Sequence, residues 1–413
     1  MTLNTLGRLA IDLLAAAGQT TAFFRLPCAA PIVIERADPV ISPGQVSSHV
    51  HTIMGGNGFG FEMNFASTQK STCSSCTVIE DKSNYWVPTL YYKTKDGKFT
   101  EVTQTGGATI YYLQRSDPKD PEPGLVAFPN EFRMVAGNTF LRSYADTVEA
   151  RAITFACLGT NTPETHGLPN IKCPNDLRAQ VFFPSCWNGK DFDTKDHKSH
   201  VAYPSGVTTG PCPKEFPKRF ISIFYEIIFN TPNFEWYSDQ QPFVLSNGDP
   251  TGYGFHTDFV NGWKEGVLQK AINDCTDDSG VIEKCKHFSF VTNEDARSCR
   301  VPASVAEKTS GTVDTLPGCN AVQAGPEPAK PLSNCGATTS ISKPQFPFTD
   351  QTKTKGFAYI GCGLDPGGQP RTLKGAKDER NTMTIESCID FCVSKGFNVA
   401  GDFYRPASVR VLH

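Results

Sequence analysis

The chain has 413 residues, which is enough for one large domain and a smaller one. Its formal net charge of −3 gives no basic field, so we expect no nucleic-acid partner and no attraction to an anionic membrane surface. Fifteen cysteines are spread along the whole length, and the Cys73-x-x-Cys76 pair lacks a second pair at zinc-knuckle spacing. These features predict a disulfide framework and an oxidising compartment.

The N-terminal residues have the pattern of a secretory signal. Arg8 precedes an apolar stretch over residues 9–17, and Thr20-Thr21-Ala22 ends in a small residue that suits signal peptidase. We expect a signal peptide over residues 1–22 and a secreted protein, located outside the cell or in the cell wall. No other stretch is apolar over the roughly 18 residues of a membrane-spanning helix, so no transmembrane segment is predicted.

Residues 23–300 read as a β-rich main domain. Short apolar segments, the clearest over residues 85–92, 110–113 and 220–229, are separated by turns, and the chain contains 35 glycines and 30 prolines. This predicts a mainly β fold, a β-sandwich or jelly roll with few helices. The one clear helix is expected over residues 263–275, with Asn261 as its N-cap.

Two further segments follow the main domain. Residues 301–354 are rich in Pro, Ser and Thr and are assigned to a linker or to an extended segment that wraps around the main domain. Cys319 and Cys335 suggest that at least one disulfide bond holds this segment. Residues 355–413 form a small disulfide-rich module, where Cys388 and Cys392 are four residues apart on one face of a predicted helix.

The most suggestive stretch for a site runs from the turn at residues 246–250 into His256 and Asp258. Further along the chain, His49 and His51 alternate so that both point to one face of a strand. Two imidazoles aimed the same way, joined by a third histidine and a carboxylate, would make a divalent-metal site that resembles those of zinc or copper. The alternatives are a polar site without metal and separate structural histidines. The candidate metal ligands are His49, His51, His200 and His256.

A second hypothesis is glycoside hydrolysis by paired carboxyl groups. Glu226 has apolar neighbours in its strand, which would raise its pKa towards that of a general acid, although a solvent-facing carboxylate is the ordinary alternative. The predicted catalytic residues are His51, His200, His256, Asp249, Asp258 and Glu226.

Aromatic side chains give a third candidate, a platform on which sugars stack. Aromatic residues of β-sandwiches are also common in the core, and that alternative stays open. The candidate carbohydrate-binding residues are Trp86, Trp187, Tyr203, Tyr253 and Trp263. The charged, proline-flanked loop at residues 117–123 is expected to be solvated.

Two parts of the chain resemble known families. Residues 356–401 resemble a WSC domain, a small module of fungal wall-stress sensors and secreted enzymes, through Phe357-x-Tyr359-x-Gly361-Cys362 and Met383-Thr384-x-x-x-Cys388-x-x-x-Cys392. Residues 45–290 resemble a fungal secreted domain of unknown function that often precedes WSC domains. Its carrying motifs are Ser48-His49-Val50-His51, Ser83-Asn84-Tyr85-Trp86-Val87-Pro88, Arg133-Met134-Val135-Ala136-Gly137-Asn138 and Phe183-Pro184-Ser185-Cys186-Trp187-Asn188-Gly189.

The resemblances imply a secreted fungal protein associated with the cell wall and with a polysaccharide such as β-glucan. One hypothesis is a carbohydrate-active, hydrolytic enzyme, and the other is a non-catalytic carbohydrate-binding or structural wall protein. The enzyme requires the predicted polar groups to converge in one cleft, because catalytic groups act within hydrogen-bonding reach. The binding protein requires exposed aromatic rings instead.

Overall fold

The computed structural model describes residues 22–331, 340–342, 377–378, 385–395, 399–402 and 409–412. The chain divides into two units, residues 1–344 and residues 345–413. The predicted signal peptide, apart from Ala22, lies outside the described residues, and the first strand begins at Phe23.

The strands of the first unit are short and follow one another with few helices. In chain order they are β1 (Phe23–Cys28), β2 (Val33–Glu35), β3 (His51–Gly55), β4 (Asn84–Pro88), β5 (Leu90–Lys93), β6 (Phe99–Glu101), β7 (Ala108–Leu113), β8 (Leu125–Val126), β9 (Arg133–Gly137), β10 (Ile153–Cys157), β11 (Leu177–Phe182), β12 (Cys186–Trp187), β13 (Val201–Ala202), β14 (Lys218–Phe220), β15 (Ser222–Phe229), β16 (Phe243–Leu245), β17 (His256–Val260) and β18 (Thr312–Val313). The helices are α1 (Phe65–Gln69), α2 (Val148–Arg151), α3 (Val267–Asp274) and α4 (Asn293–Ser298), with 3₁₀ turns at Ile282–Lys284 and Pro317–Cys319. The predicted mainly β class is confirmed.

Two five-stranded antiparallel sheets pack face to face. We call the sheet with strand order β2-β3-β4-β17-β9 the front sheet, and the sheet with order β1-β7-β15-β11-β10 the back sheet. Alternation along β15 turns Ile223, Tyr225 and Ile227 inward, where each is at most 1% exposed. Tyr225 meets the front-sheet residue Tyr85 at a ring separation of 5.6 Å. The large core therefore lies between the sheets, as in a β-sandwich.

Two four-stranded sheets flank the sandwich. Their strand orders are β13-β12-β14-β8 and β16-β5-β6-β18. Among the strand pairs of the described residues, β8 and β14 run parallel, whereas the other pairs are antiparallel. Each small sheet is continuous in sequence with a large one, because β5 follows β4 after Thr89 and β15 follows β14 after Ile221.

The outer face of the front sheet is apolar and covered by an early part of the chain. Ile53, Trp86 and Val135 share this face, and segments on either side of β3 pack over them, including Val40 and Phe59. We call residues 36–50 and 56–63 the cover. It gives the front sheet a second, smaller core, and it places the motif that contains His49 directly above β3 and β17.

Five disulfide bonds lie within the described part of the first unit. They are Cys28–Cys76, Cys73–Cys299, Cys157–Cys173, Cys186–Cys212 and Cys275–Cys285. Cys73 and Cys76 each bond to a distant partner, so this close pair is not a metal-binding pair. The predicted disulfide framework is confirmed for these ten cysteines, and such a density is typical of proteins from an oxidising compartment.

Residues 301–331, the described part of the predicted linker or wrap, pack along the first unit. We call them the strap. Within it, β18 pairs with β6, and Leu316 is 1% exposed in a cluster with Tyr91 and Val244. Glu307 forms an ion pair with Arg36 of the cover at 2.6 Å. The strap is therefore an integral layer of the first unit.

The helix predicted over residues 263–275 is shorter than expected. α3 begins at Val267 after Gly266, whose φ of 75° lies in the left-handed region. Asn261 does not cap it, because its side-chain amide donates to the carbonyl oxygens of Phe128 and Pro129. The apolar face remains as predicted, with Leu268 buried.

The second unit contains a helix, α5 (Ile385–Ser394), and a three-stranded antiparallel sheet. The sheet has the order β19 (Lys377–Asp378), β21 (Val409–Leu412), β20 (Val399–Asp402). The predicted helix that carries Cys388 and Cys392 is α5, while the surroundings of these two side chains fall outside what the structure describes. None of the helices in the described ranges combines the length and apolar character that a bilayer crossing requires.

Candidate metal centre

The register of the front sheet brings distant polar residues onto one face. Asp258 of β17 lies opposite Trp86, and Trp86 lies opposite Ile53 of β3. His256 and His51 are each two residues away along their strands, so they point to the same outer face under the cover. His49 approaches this face from the cover itself.

Three imidazoles converge through their Nε2 atoms. The Nε2 of His256 lies 3.0 Å from the Nε2 of His49 and 3.4 Å from the Nε2 of His51. All three side chains are buried, with exposures of 6% for His49, 0% for His51 and 5% for His256. Their potential ligand atoms lie within 4.8 Å of one another, which is the spacing of donors around one metal ion.

The hydrogen bonds on the far side of each ring define which nitrogens carry hydrogen. The Nδ1 of His51 lies 3.0 Å from the carbonyl oxygen of Ala37, and the Nδ1 of His256 lies 2.9 Å from that of Gly254. Because a carbonyl oxygen only accepts, both Nδ1 atoms carry the hydrogen, and the neutral rings present Nε2 lone pairs to each other. The Nδ1 of His49 is 3.0 Å from the hydroxyl of Ser48, which can donate or accept.

This pattern is the one that orients metal-ligating histidines. A ligating imidazole usually donates its second N–H to a carbonyl or carboxylate, which fixes the ring and directs the other nitrogen to the metal. Without a cation, at most one Nε2–H is available for two facing lone pairs. The cluster is therefore better satisfied by a positive charge at its centre than by hydrogen bonds among its members.

The protein environment keeps the three rings neutral. Burial lowers the pKa of His49 and of His51 well below the ordinary histidine value, and the neighbouring imidazoles lower both pKa values further. Burial lowers the pKa of His256 to about 4. At neutral pH the Nε2 lone pairs are therefore free to bind a metal.

Two buried carboxyl groups adjoin the imidazoles. Asp38, His51 and Asp258 place potential ligand atoms within 4.8 Å of one another. Asp258 is fully buried, and neither of its carboxylate oxygens has a hydrogen-bond partner among the described residues. Burial raises its pKa well above the usual range, and the Asp38 carboxyl adds to the rise. A buried carboxylate without a donor requires either a proton or a cation.

Asp38 differs from Asp258 in its bonding. One carboxylate oxygen of Asp38 accepts hydrogen bonds from the backbone N–H groups of Val40 and Ile41, at 3.1 and 2.9 Å. Burial raises its pKa to about 6, because the opposing effect of these backbone bonds is smaller. Asp38 shapes the turn that carries the Ala37 carbonyl, and through that carbonyl it orients His51.

Asp249 organises the glycine-containing loop that precedes His256. Its carboxylate accepts hydrogen bonds from the N–H and hydroxyl of Thr251, at 2.7 and 2.6 Å, and from the N–H of Gly254 at 2.6 Å. Arg142 lies 3.7 Å away and is equally buried. Burial raises the pKa of Asp249 and the Arg142 guanidinium opposes this rise. Asp249 thus positions the Gly254 carbonyl that orients His256.

The other predicted polar residues lie apart from this cluster. His200 is held by the carbonyl of Arg133 at 2.8 Å and the hydroxyl of Thr194 at 3.1 Å, so both of its ring nitrogens are engaged. Glu226 belongs to the back sheet, where it accepts from the Tyr111 hydroxyl at 2.5 Å and pairs with Arg178 at 3.2 Å. Of the predicted catalytic set, the structure brings together His51, His256 and Asp258.

Most of the predicted aromatic platform is buried. Trp86, Trp187 and Trp263 are 0%, 8% and 2% exposed, which leaves no indole face for a sugar. The indole N–H of Trp263 donates to Tyr112 and that of Trp187 to the Asp191 carbonyl. Tyr203 is partly exposed, and its hydroxyl donates to the Phe182 carbonyl.

Tyr253 lines a small surface cleft at the end of β9. Asp38 is the site residue that the sequence reasoning missed. An Asp-Pro pair one short segment before a His-x-His motif is a weak signal, and only the fold shows that its carboxyl group lies beside Asp258.

The fold and the cluster define a disulfide-bonded β-sandwich protein with a buried histidine–carboxylate centre. The chain belongs to the family described as domain of unknown function (DUF1996), whose sequence model matches residues 38–263. This range includes every residue of the cluster, and it confirms the resemblance drawn from the motifs.

A curated relative agrees with the second resemblance. The chain is 34% identical over 74 residues to a protein named "WSC domain-containing protein" from Arthroderma benhamiae. The match covers 18% of this chain and 8% of that protein, so it concerns a small part of the relative. No solved structure matches the chain.

Proposed function

We propose that this protein is a non-catalytic, cell-wall-associated fungal metalloprotein whose buried histidine cluster holds one divalent transition metal. His49, His51 and His256 supply three imidazole nitrogens, and Asp258 supplies the carboxylate beside His51. The observation that carries the proposal is the pair of facing Nε2 lone pairs of His51 and His256, 3.4 Å apart, each enforced by a carbonyl on the opposite ring nitrogen.

The donor set selects the kind of metal. Three neutral imidazoles and one carboxylate suit zinc or copper, whereas calcium and magnesium prefer oxygen ligands. The ligand atoms of the three histidines form one group, and Asp258 belongs to an adjoining group with Asp38 and His51. If Asp258 bound the same ion, four protein ligands would close a tetrahedral coordination sphere, which is typical of structural rather than catalytic zinc. The metal would fasten the cover, through His49, to strands β3 and β17.

The position of the cluster favours a binding or structural role over hydrolysis. Each histidine is at most 6% exposed, so a polysaccharide chain has no access to the metal. Glu226 is on the back sheet and Asp249 is saturated by its own loop. A glycosidase needs two carboxyl groups on either side of one accessible bond, and the described residues offer no such pair from the predicted set.

Association with the wall is supported by two independent features. The relative from Arthroderma benhamiae is named for a WSC domain, and the C-terminal residues of this chain carry the motifs of such a module. The five disulfide bonds fit a protein that works outside the cell. A wall polysaccharide such as β-glucan is the partner that these features favour.

The test is elemental analysis of the full chain secreted from a fungal host, together with His51→Gln and His256→Gln variants. We expect about one equivalent of zinc or copper in the wild type and a loss of that metal in both variants, because each removes a ligand. A chelator should lower the melting temperature of the wild type alone, since bound metal stabilises the folded state.

Two histidine variants serve as controls. His200→Gln and His287→Gln should retain the metal, because neither ring belongs to the cluster. Titration of chelated protein with Co²⁺, followed by its visible absorption, reports the site, and circular dichroism of the two cluster variants shows whether the fold is kept. A wild-type protein that carries no metal, takes up none from a zinc or copper solution and melts unchanged in chelator would overturn the proposal.

A further inference from the structure

One short part of the strap touches both loops that bring histidines to the cluster. Residues 318–323, which we call the latch, contact the cover next to His49 and the loop that leads to His256. His51 is 0% exposed, whereas His49 and His256 keep exposures of 6% and 5%. The latch therefore joins the two members of the cluster that come nearest to solvent.

On the cover side, the latch holds the residue that precedes His49. The side-chain amide of Asn320 donates to the carbonyl oxygen of Ser48 at 2.8 Å, and the Ser48 hydroxyl lies 3.0 Å from the Nδ1 of His49. Gly318 has a φ of 76°, and a Cβ at this position would lie 2.2 Å from the Ser48 carbonyl oxygen. A residue with a side chain would therefore push the latch away from the cover.

An ion pair fastens the same contact. Glu307 accepts a hydrogen bond from the backbone N–H of Gly318 at 3.2 Å and pairs with Arg36 of the cover at 2.6 Å. Arg36 also donates to the carbonyl oxygen of Ser47 at 2.9 Å. The two charged side chains are only 9% and 19% exposed, so the strap and the cover are joined beside His49 by a largely buried pair.

On the other side, the latch holds the loop that orients His256. Arg142 donates to the carbonyl oxygen of Gln323 at 2.8 Å and to that of Asn247 at 3.0 Å. The side-chain amide of Asn247 donates at 3.0 Å to the Gly254 carbonyl, which is the carbonyl that faces the Nδ1 of His256. The position of this ring thus depends on contacts that begin at the latch.

The latch is held more weakly than the strap residues before it. Ala321 is exposed and Val322 is half-buried, whereas the anchor Leu316 is 1% exposed. A segment that buries little apolar surface opens at a lower free energy than the core on which it rests. The latch can therefore separate from the two loops while Leu316 and the sandwich stay folded.

We infer that the latch is the part of the fold that opens to admit and release the metal, so that its separation from the two loops sets the rate of metal exchange. This inference rests on the metal centre proposed above and concerns the regulation of that same site. While the latch is closed, Ser48 and Asn247 are held in place, and His49 and His256 with them. When it opens, His49 turns away with the cover, whereas His51 and His256 remain on their strands.

The test is the rate at which excess EDTA removes Co²⁺ from the full chain, followed by the visible absorption of the bound ion. We expect Gly318→Ala to release the ion about tenfold faster or more, because the added methyl group displaces the latch. Gly311→Ala is the matched control from the same strap. Its φ of 67° is equally left-handed, but a Cβ there meets nothing within 4 Å, so the release rate should stay unchanged.

Asn320→Ala is a second variant, which removes the hydrogen bond to Ser48 without adding an atom. It should also release the ion faster than the wild type, with the same amount of metal bound at the start. A folded Gly318→Ala that releases Co²⁺ at the wild-type rate would overturn the inference. Equal acceleration in Gly311→Ala would overturn it too, because that substitution leaves the contacts of the latch in place.

Histidine modification of metal-free protein keeps this inference separate from the metal proposal. Diethyl pyrocarbonate reacts with accessible neutral imidazoles, and mass spectrometry locates the modified ring. We expect His49 to react faster in Gly318→Ala than in the wild type or Gly311→Ala, with His287 outside the cluster as the internal reference. A wild type that binds no metal but shows this difference would keep the latch and contradict the metal proposal. Equal reactivity of His49 in all three proteins would overturn the latch.

Discussion

At the residue scale, Asp120 shows how far a side chain can depart from the character of its own segment. The loop at residues 117–123 is charged and flanked by proline, and it was expected to be solvated. Instead, the Asp120 side chain is 1% exposed and accepts two 2.7 Å bonds from Arg219, which is equally buried. Local composition could not reveal this, because the partner lies 99 residues further along the chain.

Asp120→Asn tests the strength of this buried pair. The substitution leaves the Arg219 charge buried without a counter-ion, so we expect the free energy of unfolding to fall by about 3–5 kcal/mol. Urea denaturation measures the change. Glu122→Gln is the control from the same loop, because Glu122 is 51% exposed and 3.9 Å from Lys218, and it should change stability by less than about 0.5 kcal/mol.

The same pair predicts a pH dependence. Burial tends to raise the pKa of Asp120, but the Arg219 bonds and two backbone N–H groups outweigh it and hold the pKa below the ordinary value. The stabilisation is therefore complete above the unfolded pKa, about 3.9, and is lost as pH falls through the folded pKa. The stability gap between wild type and Asp120→Asn should narrow below about pH 4. A gap that stays constant down to pH 3 would contradict this assignment.

The candidate site was partly predictable at this scale. The glycine-containing turn indicated His256, but the prediction that His49 and His51 share one face of a strand is wrong, because β3 begins at His51 and His49 lies in a bend of the cover. Their convergence could not be read, because His49 and His256 are 207 residues apart and only strand pairing brings them together. His200 has the same local polar character and lies elsewhere. Residue type and sequence spacing therefore indicate candidate ligands, whereas strand pairing determines which of them meet.

At the element scale, the strands were predictable and the start of α3 was not. Alternating apolar residues mark β7 and β15, whereas β4 is a short aromatic and apolar run that is buried on both faces. The sequence also shows the apolar face of α3. However, Trp263 lies outside this helix, because its indole N–H donates to the hydroxyl of Tyr112. Tertiary packing keeps residues 261–263 extended, and the helix begins only after Gly266.

The disulfide bonds differ in how much of the chain they restrain. Cys73–Cys299 joins residues 226 apart and Cys275–Cys285 joins residues 10 apart. In the chain-entropy description, the longer loop contributes about 5 kcal/mol and the shorter about 3 kcal/mol. We expect the double variant Cys73→Ser with Cys299→Ser to lose more stability in urea than Cys275→Ser with Cys285→Ser. Equal losses, or the reverse order, would contradict the entropic ranking.

At the scale of the whole molecule, the first unit consists of the back sheet, the front sheet, the cover and the strap. The mainly β class followed from composition and alternation. The strap was assigned to a linker or a wrap because large apolar residues are sparse in it. A few anchors such as Val313 and Leu316 are enough to hold it, because each enters the small core around Tyr91. The composition of a segment is an average, so it does not reveal that one or two buried apolar residues hold the strap in place.

Leu316→Ala tests whether the strap belongs to the cooperative unit. The substitution removes a side chain that is 1% exposed, so the free energy of unfolding should fall by about 2–5 kcal/mol. Ile341→Ala, at a side chain 40% exposed, should cost less than about 0.5 kcal/mol. Limited proteolysis at residues 301–331 should accelerate in Leu316→Ala alone. An unchanged unfolding transition would mean that the strap detaches separately.

The strand order of the front sheet also fixes when the protein can fold during its synthesis. β17 lies between β4 and β9, so this sheet stays split into two pieces until residue 260 has left the ribosome. His49 and His51 are synthesised long before His256, so they cannot form the cluster in the early nascent chain. During that time the apolar faces of β3 and β4 are not yet packed. Folding of the front sheet is thus a late, long-range event that follows synthesis of nearly the whole sandwich.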